Sequence, residues 1–416
     1  MVHLGTPRWS LSEGTTLIEV DVTGETSKTM WFRLPDSIPV SEDGVSDALF
    51  PLGLLLAMAT DGTLVLESPV SARLIENAEV IQDILLSWHG HRLRRAELEV
   101  VARPSDQAVT RADGVASCFT GGVDSFYTLL KHRDEITTLV YVHGFDIPLA
   151  RKALYDATAS HLRAVAADVG TELIEMASNL KSFYPTPWAT ITHGPALVAI
   201  GMILSGSHGT LLLPASHTYS QLYRWGTHPL LDPLWSTDGL TIVHDGAEAS
   251  RVRKTVALAD FPAAQQHLRV CWQNTGAYNC GKCNKCMRTK TCLRLAGKLE
   301  LFRTFDHVVD VAAVRATQIS NASELSFVVE NRDFAREVGD EEIADALTYA
   351  IDVYNGKKAG KRELQRKVRV LRRKLEQTRK ELDRLNSRKS VRLANRARRL
   401  FAPLRRKKGV GTVASD

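Results

Sequence analysis

Long apolar runs are missing from this chain. The longest, such as residues 196–204, reach about half of the ~20 residues that a membrane-spanning helix needs. The opening Met1-Val2-His3-Leu4-Gly5-Thr6-Pro7 lacks both the basic start and the apolar stretch of a secretory signal. These two absences set the expectation of a cytoplasmic protein. Cysteine is scarce, with 6 in 416 residues, and without a secretory signal a disulfide framework is not the default reading. No internal repeat of domain size occurs. The phosphate-binding pattern G-x-x-x-x-G-K-[ST] is absent as well, which excludes a Walker-type loop.

What is present is unevenly spread. A chain of this length exceeds what one core usually serves, so two or three domains are expected. Apolar content of 44% and charged content of 24% are those of an ordinary globular protein. The net charge of +6 hides an asymmetry: residues 355–409 carry 23 Lys/Arg against 4 Asp/Glu, which leaves the rest of the chain at −13. Basic character belongs to one end only.

The periodicities divide the chain. Residues 1–105 read as a small α+β domain: 17–22 alternate like a strand, 30–34 do so more loosely, and 72–88 have helical spacing. Residues 101–106 read as a linker. From 107 to 260, strand candidates at 115–119, 138–142, 171–175 and 210–213 alternate with helical stretches at 125–132, 149–169 and 192–206. That order predicts an α/β fold, a parallel sheet with helices on both faces, whose ligands bind beyond the carboxyl ends of the strands. Residues 301–352 read as a helical segment, 353–409 as a basic coiled-coil tail and 410–416 as a disordered end. In the tail Leu364, Val368, Leu371, Leu375, Thr378, Leu382 and Leu385 step four and three residues apart, a heptad seam about three repeats long.

Thr120-Gly121-Gly122-Val123-Asp124-Ser125 sits where a strand candidate meets a helix candidate. Two glycines let backbone N–H groups approach an anion with no Cβ in the way, and the following helix start favours phosphate oxygens. Ser125 adds a hydroxyl, and Asp124 offers the hard oxygen that Mg²⁺ prefers beside a polyphosphate. A bare Gly-Gly turn is the competing reading. The stretch resembles the S-G-G-x-D-S signature of the PP-loop ATP pyrophosphatases, with Thr120 where serine is usual. The resemblance implies an adenine nucleotide alpha hydrolase-like fold that grips ATP by its pyrophosphate end and transfers AMP to a carbonyl or carboxyl oxygen. It further implies nucleotide contacts from His143 and Asp146, in Val140-Tyr-Val-His-Gly-Phe-Asp146, and a phosphate-facing role for Arg251 or Lys254. The competing readings are a helix-capping Asp146 and solvated basic residues at a helix start.

Four of the cysteines form the pattern Cys271-x8-Cys280-x2-Cys283-x2-Cys286. Four thiolates meet the tetrahedral demand of Zn²⁺, and a closed set leaves no position for water, so a structural role is expected. Buried unpaired thiols or an iron–sulfur cluster are the alternatives. Lys282, Lys285 and Arg288 lie close enough in sequence to offset the thiolate charge. Cys118 and Cys292 fall outside the quartet and read as packing residues. A PP-loop followed by this cysteine pattern is similar, over about residues 110–295, to the 7-cyano-7-deazaguanine synthases of queuosine biosynthesis. Those enzymes activate a carboxylate with ATP for attack by ammonia. The likeness stops there, because the N-terminal domain, the basic tail and the loop at 215–236 depart from that pattern. In that loop Ser216, His217, Tyr219, His228 and Asp232 are candidates for a polar substrate pocket.

The expectation is therefore an AMP-forming, ATP-dependent ligase-type enzyme using ATP, Mg²⁺ and structural Zn²⁺, with Asp124, Ser125 and Arg251 catalytic. Thr120, Gly121, Gly122, Val123, His143 and Asp146 bind the nucleotide, and the acceptor is a small carboxylate or carbonyl compound. Sulfur transfer by the same fold is one alternative. A non-catalytic nucleotide-binding scaffold in surface-polymer biosynthesis is another, because residues 390–401 faintly resemble the tails of bacterial cell-surface polysaccharide enzymes. For the tail the expected partners are a second copy of the chain, giving a homo-oligomer, or an anionic surface, polymer or RNA.

Overall fold

A computed structural model of the chain describes residues 1–24, 27–60, 62–104, 111–273, 275–387 and 389–401. Part of the expected linker and the expected disordered end at 410–416 lie outside the described residues. The chain divides into two compact units, residues 1–351 and 352–416.

Among the described residues of the first unit, eleven strands form one sheet. They are β1 (Val2–Leu4), β2 (Arg8–Ser12), β3 (Thr15–Thr23), β4 (Lys28–Pro35), β5 (Thr63–Leu66), β6 (Glu97–Glu99), β7 (Gly114–Cys118), β8 (Thr138–His143), β9 (Glu172–Ser178), β10 (His208–Pro214) and β11 (Thr241–Asp245). The order is β11-β10-β7-β8-β9-β4-β3-β1-β5-β6, with β2 paired to β3. The five strands from β11 to β9 run parallel, whereas β4 joins β9 antiparallel through Phe32↔Ser178 and Arg33↔Ala177. The seam is reinforced by side chains: Ser178 Oγ donates to the Trp31 carbonyl at 2.8 Å and Asn179 Oδ1 accepts from Trp31 N–H at 3.0 Å.

This corrects the expected separate N-terminal domain at 1–105. Its strands extend the parallel sheet instead of closing on their own, and one apolar core spans both parts. In β3 the alternation puts Ile18, Val20 and Val22 inside and leaves Glu19 and Asp21 outside, as one-sided burial requires. In β8 both faces are covered. Val140 and Val142 enter the core that also takes in residues of α1 (Glu42–Thr60), α2 (Ala72–His89) and α5 (His193–Ile203). Leu139 and Tyr141 enter the core on the other face, under α3 (Val123–Lys131) and α4 (Lys152–Val169).

The remaining helices are α6 (Arg251–Ala257), α7 (Pro262–His267), α8 (Asn284–Leu295), α9 (Val311–Arg315), α10 (Ala322–Glu337), α11 (Glu341–Ser387) and α12 (Lys389–Phe401). The helix α1 has no counterpart among the periodic stretches of the sequence because it is apolar nearly all round, which erases the 3.6-residue period. Two helical stretches, Glu42–Thr60 and Trp188–Gly206, are in fact long and apolar enough to cross a membrane by length and composition, contrary to the expectation from continuous runs, and most of each is buried in the protein. Their close crossing depends on Gly44, where a Cβ would strike the Met202 carbonyl oxygen.

Asp47 ties this part together. Its carboxylate accepts from Ser71 N–H at 2.7 Å, at the start of α2, and from Arg103 Nη2 at 2.9 Å. Both members of the ion pair are buried. Asp47→Ala leaves Arg103 with the more exposed Asp43 alone, and should cost about 3 kcal/mol in chemical denaturation. Val80→Ala, on an exposed position of α2, should stay within about 0.5 kcal/mol of wild type.

Candidate functional site

At the carboxyl end of β7 the chain leaves the sheet after Phe119, whose N–H is held by the Val140 carbonyl at 2.8 Å. Gly121 takes φ +73°, a left-handed conformation that favours glycine, and a Cβ there would also press on Leu162 Cδ2 at 3.0 Å. Gly122 is the N-cap of α3, so Asp124 and Ser125 lie in its first turn. Ser125 Oγ donates to the Gly122 carbonyl at 3.1 Å, and the Gly121 carbonyl accepts from Arg269 N–H at 2.8 Å. The side chain of Val123 is buried in the core, so this residue could meet a ligand through its backbone alone.

Asp124 is surrounded by donors. Its carboxylate accepts from Ser216 Oγ at 3.1 Å, Arg251 Nη2 at 2.6 Å and Lys254 Nζ at 3.5 Å. Burial would raise its pKa, but the charges of Arg251, Lys254 and Arg288 outweigh that and hold it below the ordinary carboxylate value. Lys254 is buried and donates to the Ala215 carbonyl at 2.6 Å, and burial draws its pKa down. Arg251 and Arg288 share the ring of Phe327, at 5.2 and 4.1 Å from its centroid. The pKa of Arg288 is pushed down to about 9, by burial first and then by Arg251. Lys285, on the first turn of α8, is exposed. The Nε–H groups of Arg251 and Arg288 are buried without a hydrogen-bond partner. Glu330 faces this group from α10, accepting from Arg251 N–H at 2.9 Å, and burial raises its pKa.

Three cations, Arg251, Lys254 and Arg288, thus act together on the Asp124 carboxylate beside the glycine cradle. The arrangement suits an anion with several oxygens. Lys285 and Arg288 were missed as members of this group: sequence proximity assigned them to the thiolates. Their spacing of three residues on α8 was the available signal, since it puts both on one helical face.

The other candidates separate. Ser216 and His217 follow β10 into the site. His217 stacks on Phe327 at 5.4 Å and meets Ser323 Oγ at 3.3 Å, and burial, followed by the charge of Arg251, pushes its pKa down to about 4. Asp232 is instead fully buried, bonded to His244 Nδ1 at 2.7 Å and to His228 N–H at 2.9 Å. His228 is buried against Trp88 and Tyr219 is exposed, so these three do not join Asp124. His143 stacks on Tyr155 at 4.1 Å, and Asp146, beyond β8, is electrostatically coupled to Lys285 and His193.

The four cysteines converge. The sulfurs of Cys271, Cys280, Cys283 and Cys286 all lie within 4.8 Å of one another. A tetrahedron of Zn–S bonds near ~2.3 Å has edges of about 3.8 Å, so the quartet is the right size for one ion. Cys283 caps α8, and its N–H donates to Cys280 Sγ at 3.3 Å. Gly281 adopts φ +68° where a Cβ would strike the Asp306 carboxylate. Asn279 Oδ1 accepts from the N–H groups of Val270 and Cys271, which fixes the first ligand strand. The donor set is compatible with Zn²⁺. Burial pushes the thiols of Cys118 and Cys292 up to about 12, which leaves both as inert packing groups at neutral pH.

Comparison with family models, with curated proteins and with solved structures finds no match to this chain. What the fold and site define is an α/β protein with a mostly parallel sheet, a glycine loop beside a cluster of cations, and four cysteines placed so that they could hold a metal ion.

Protein prepared without chelators should contain about one zinc per chain by elemental analysis, and Cys283→Ser should lose it with a drop in soluble yield. Preparations free of both zinc and iron would count against the cluster as a metal site. The site also carries a pH signature. The folded pKa of His217 lies below the unfolded value near ~6.5, so the unfolded chain binds more protons between pH 6.5 and 4. Across that window wild type should lose stability relative to His217→Gln as pH falls, read as a widening difference between their thermal midpoints. Using the difference matters because Asp47, raised to about 6 by burial, acts in the opposite direction in both proteins.

Proposed function

We propose that this protein is an ATP-dependent, AMP-forming enzyme of the PP-loop kind, a ligase in type. The observation that carries the reading is the glycine cradle with Asp124 amid Arg251, Lys254 and Arg288. In this reading the loop amides and the cations bind the triphosphate. An acceptor carboxylate or carbonyl oxygen attacks the α-phosphorus. The α–β bridging bond breaks, and its electron pair leaves with pyrophosphate, whose developing charge Arg251, Lys254 and Arg288 stabilise. A nitrogen nucleophile then adds at the activated carbon and displaces AMP. Asp124 would hold Mg²⁺, which supplies further neutralisation of the phosphates. Ser216 positions Asp124 through its hydroxyl. The four-cysteine cluster is structural Zn²⁺ in this scheme. Sulfur transfer is disfavoured because the two cysteines outside the cluster are buried and held protonated.

The likeness to 7-cyano-7-deazaguanine synthases supports a carboxylate acceptor, with the loop after β10 setting the particular compound. Calorimetry should detect Mg-ATP binding to the purified chain, and turnover with acceptor should release AMP and pyrophosphate. Arg251→Ala should weaken ATP binding by about tenfold or more, since it removes a charge-assisted contact worth about 1.5–3 kcal/mol. Asp124→Asn should abolish turnover with the fold intact by circular dichroism. Release of ADP, or no Mg-ATP binding at all, would sink the assignment.

A further inference from the structure

The second unit contains residues 352–387 of α11, and an apolar seam lies open along it. Leu364, Val368, Leu371, Leu375, Leu382 and Leu385 are between 41% and 71% exposed. Their alternating steps assign Val368, Leu375 and Leu382 to heptad position a, and Leu364, Leu371, Thr378 and Leu385 to position d. Thr378 Oγ donates back to the Lys374 carbonyl of its own helix at 3.0 Å.

The same register fixes which charges flank the seam. Position g holds Lys367, Lys374 and Glu381, and position e holds Gln365, Arg372 and Arg379. In a parallel pair of identical helices each g residue meets the e residue five positions on in its partner. Self-pairing therefore sets Lys367 against Arg372 and Lys374 against Arg379 of the second copy. An antiparallel pair sets Arg372 against Arg379 across the e positions, with Glu381 meeting a lysine across the g positions as its one attractive contact. Lys367 has Glu363 on its own helix at 3.4 Å, but among the described residues Arg372, Lys374 and Arg379 form no ion pair. Like charges across the seam penalise the homodimer and reward a partner of opposite sign. Residues 356–387 carry 13 Lys/Arg against 4 Asp/Glu, so the partner's flanks must be acidic.

A lipid surface fits less well. The apolar stripe is two positions in seven, narrower than an interfacial helix presents, and its seam positions include no Trp, Tyr or Phe. Nucleic acid would engage the cations and leave the leucines in water. We propose that this seam is the docking site for an acidic amphipathic helix of a different protein, pairing through apolar a and d positions with Glu or Asp at e and g. The inference stands independently of the catalytic reading.

The test uses the full chain and a labelled synthetic peptide of four heptads with Leu at a and d and Glu at e and g. The peptide should bind by fluorescence anisotropy, and Leu371→Asp with Leu375→Asp should weaken binding on the order of a hundredfold or more. A peptide of the same composition with its leucines moved off the seam should not bind. By light scattering wild type should show no seam-dependent dimer at micromolar concentration. Lys367→Glu with Lys374→Glu should create one, because the new carboxylates face Arg372 and Arg379 of a second copy. A wild-type dimer that Leu371→Asp dissociates would overturn the proposal. So would equal binding of the rearranged peptide, or binding of RNA or anionic vesicles that disappears with the leucines.

Discussion

The ion pair between Asp124 and Arg251, with Lys254 behind it, is the interaction around which the candidate site is organised. It joins three separate parts of the chain: the start of α3, the start of α6 and, through Ser216, the segment after β10. Each of these begins at a strand's carboxyl end, so the parallel sheet brings them together before any side chain acts. The pair is also unbalanced. Asp124 faces several cations, and burial, followed for Arg288 by the charge of Arg251, lowers the pKa values of Lys254 and Arg288. Such a site gains from an incoming anion twice, by attraction and by relief of repulsion.

Part of this arrangement is legible in the amino-acid sequence. The strand–glycine–helix junction at 117–125 was legible because turn chemistry and apolar period change together within a few residues. The cysteine quartet was legible because thiols recurring at two-residue gaps bring their sulfurs to one point, which packing alone does not require. The four parallel strands 115–119, 138–142, 171–175 and 210–213 appear with boundaries shifted by a few residues. What sequence could not give was anything carried by long-range pairing. The antiparallel junction of β4 with β9 links residues nearly 150 apart and rests on Ser178 and Asn179, two polar residues that look like a loop start. Without it, the first hundred residues look like a domain of their own.

The site shows the same limit. Asp232, a pocket candidate in the sequence, is instead buried against His244 Nδ1, and its carboxylate also accepts from His228 N–H and serves the loop's own fold. Arg288 gives the opposite error. It lies two residues past a metal-site cysteine and looked like a counter-charge, but its guanidinium lies over Phe327 beside Arg251. Burial and direction, not residue type, separate the two cases.

The cysteine cluster is therefore not remote from the glycine loop and its cations. Cys283 and Cys286 bracket Lys285 on the first turn of α8, and Arg288 follows one turn along the same face. Fixing the sulfurs fixes where that helix begins and how it is rotated about its axis. A rotation of one residue, about 100°, would carry both cations away from Asp124. The segment into the cluster is also pinned to the glycine loop, through Arg269 N–H on the Gly121 carbonyl. A structural ion here would hold both the cradle's shape and two of its charges, so losing the ion would spread the cationic cluster even where the sheet remained folded.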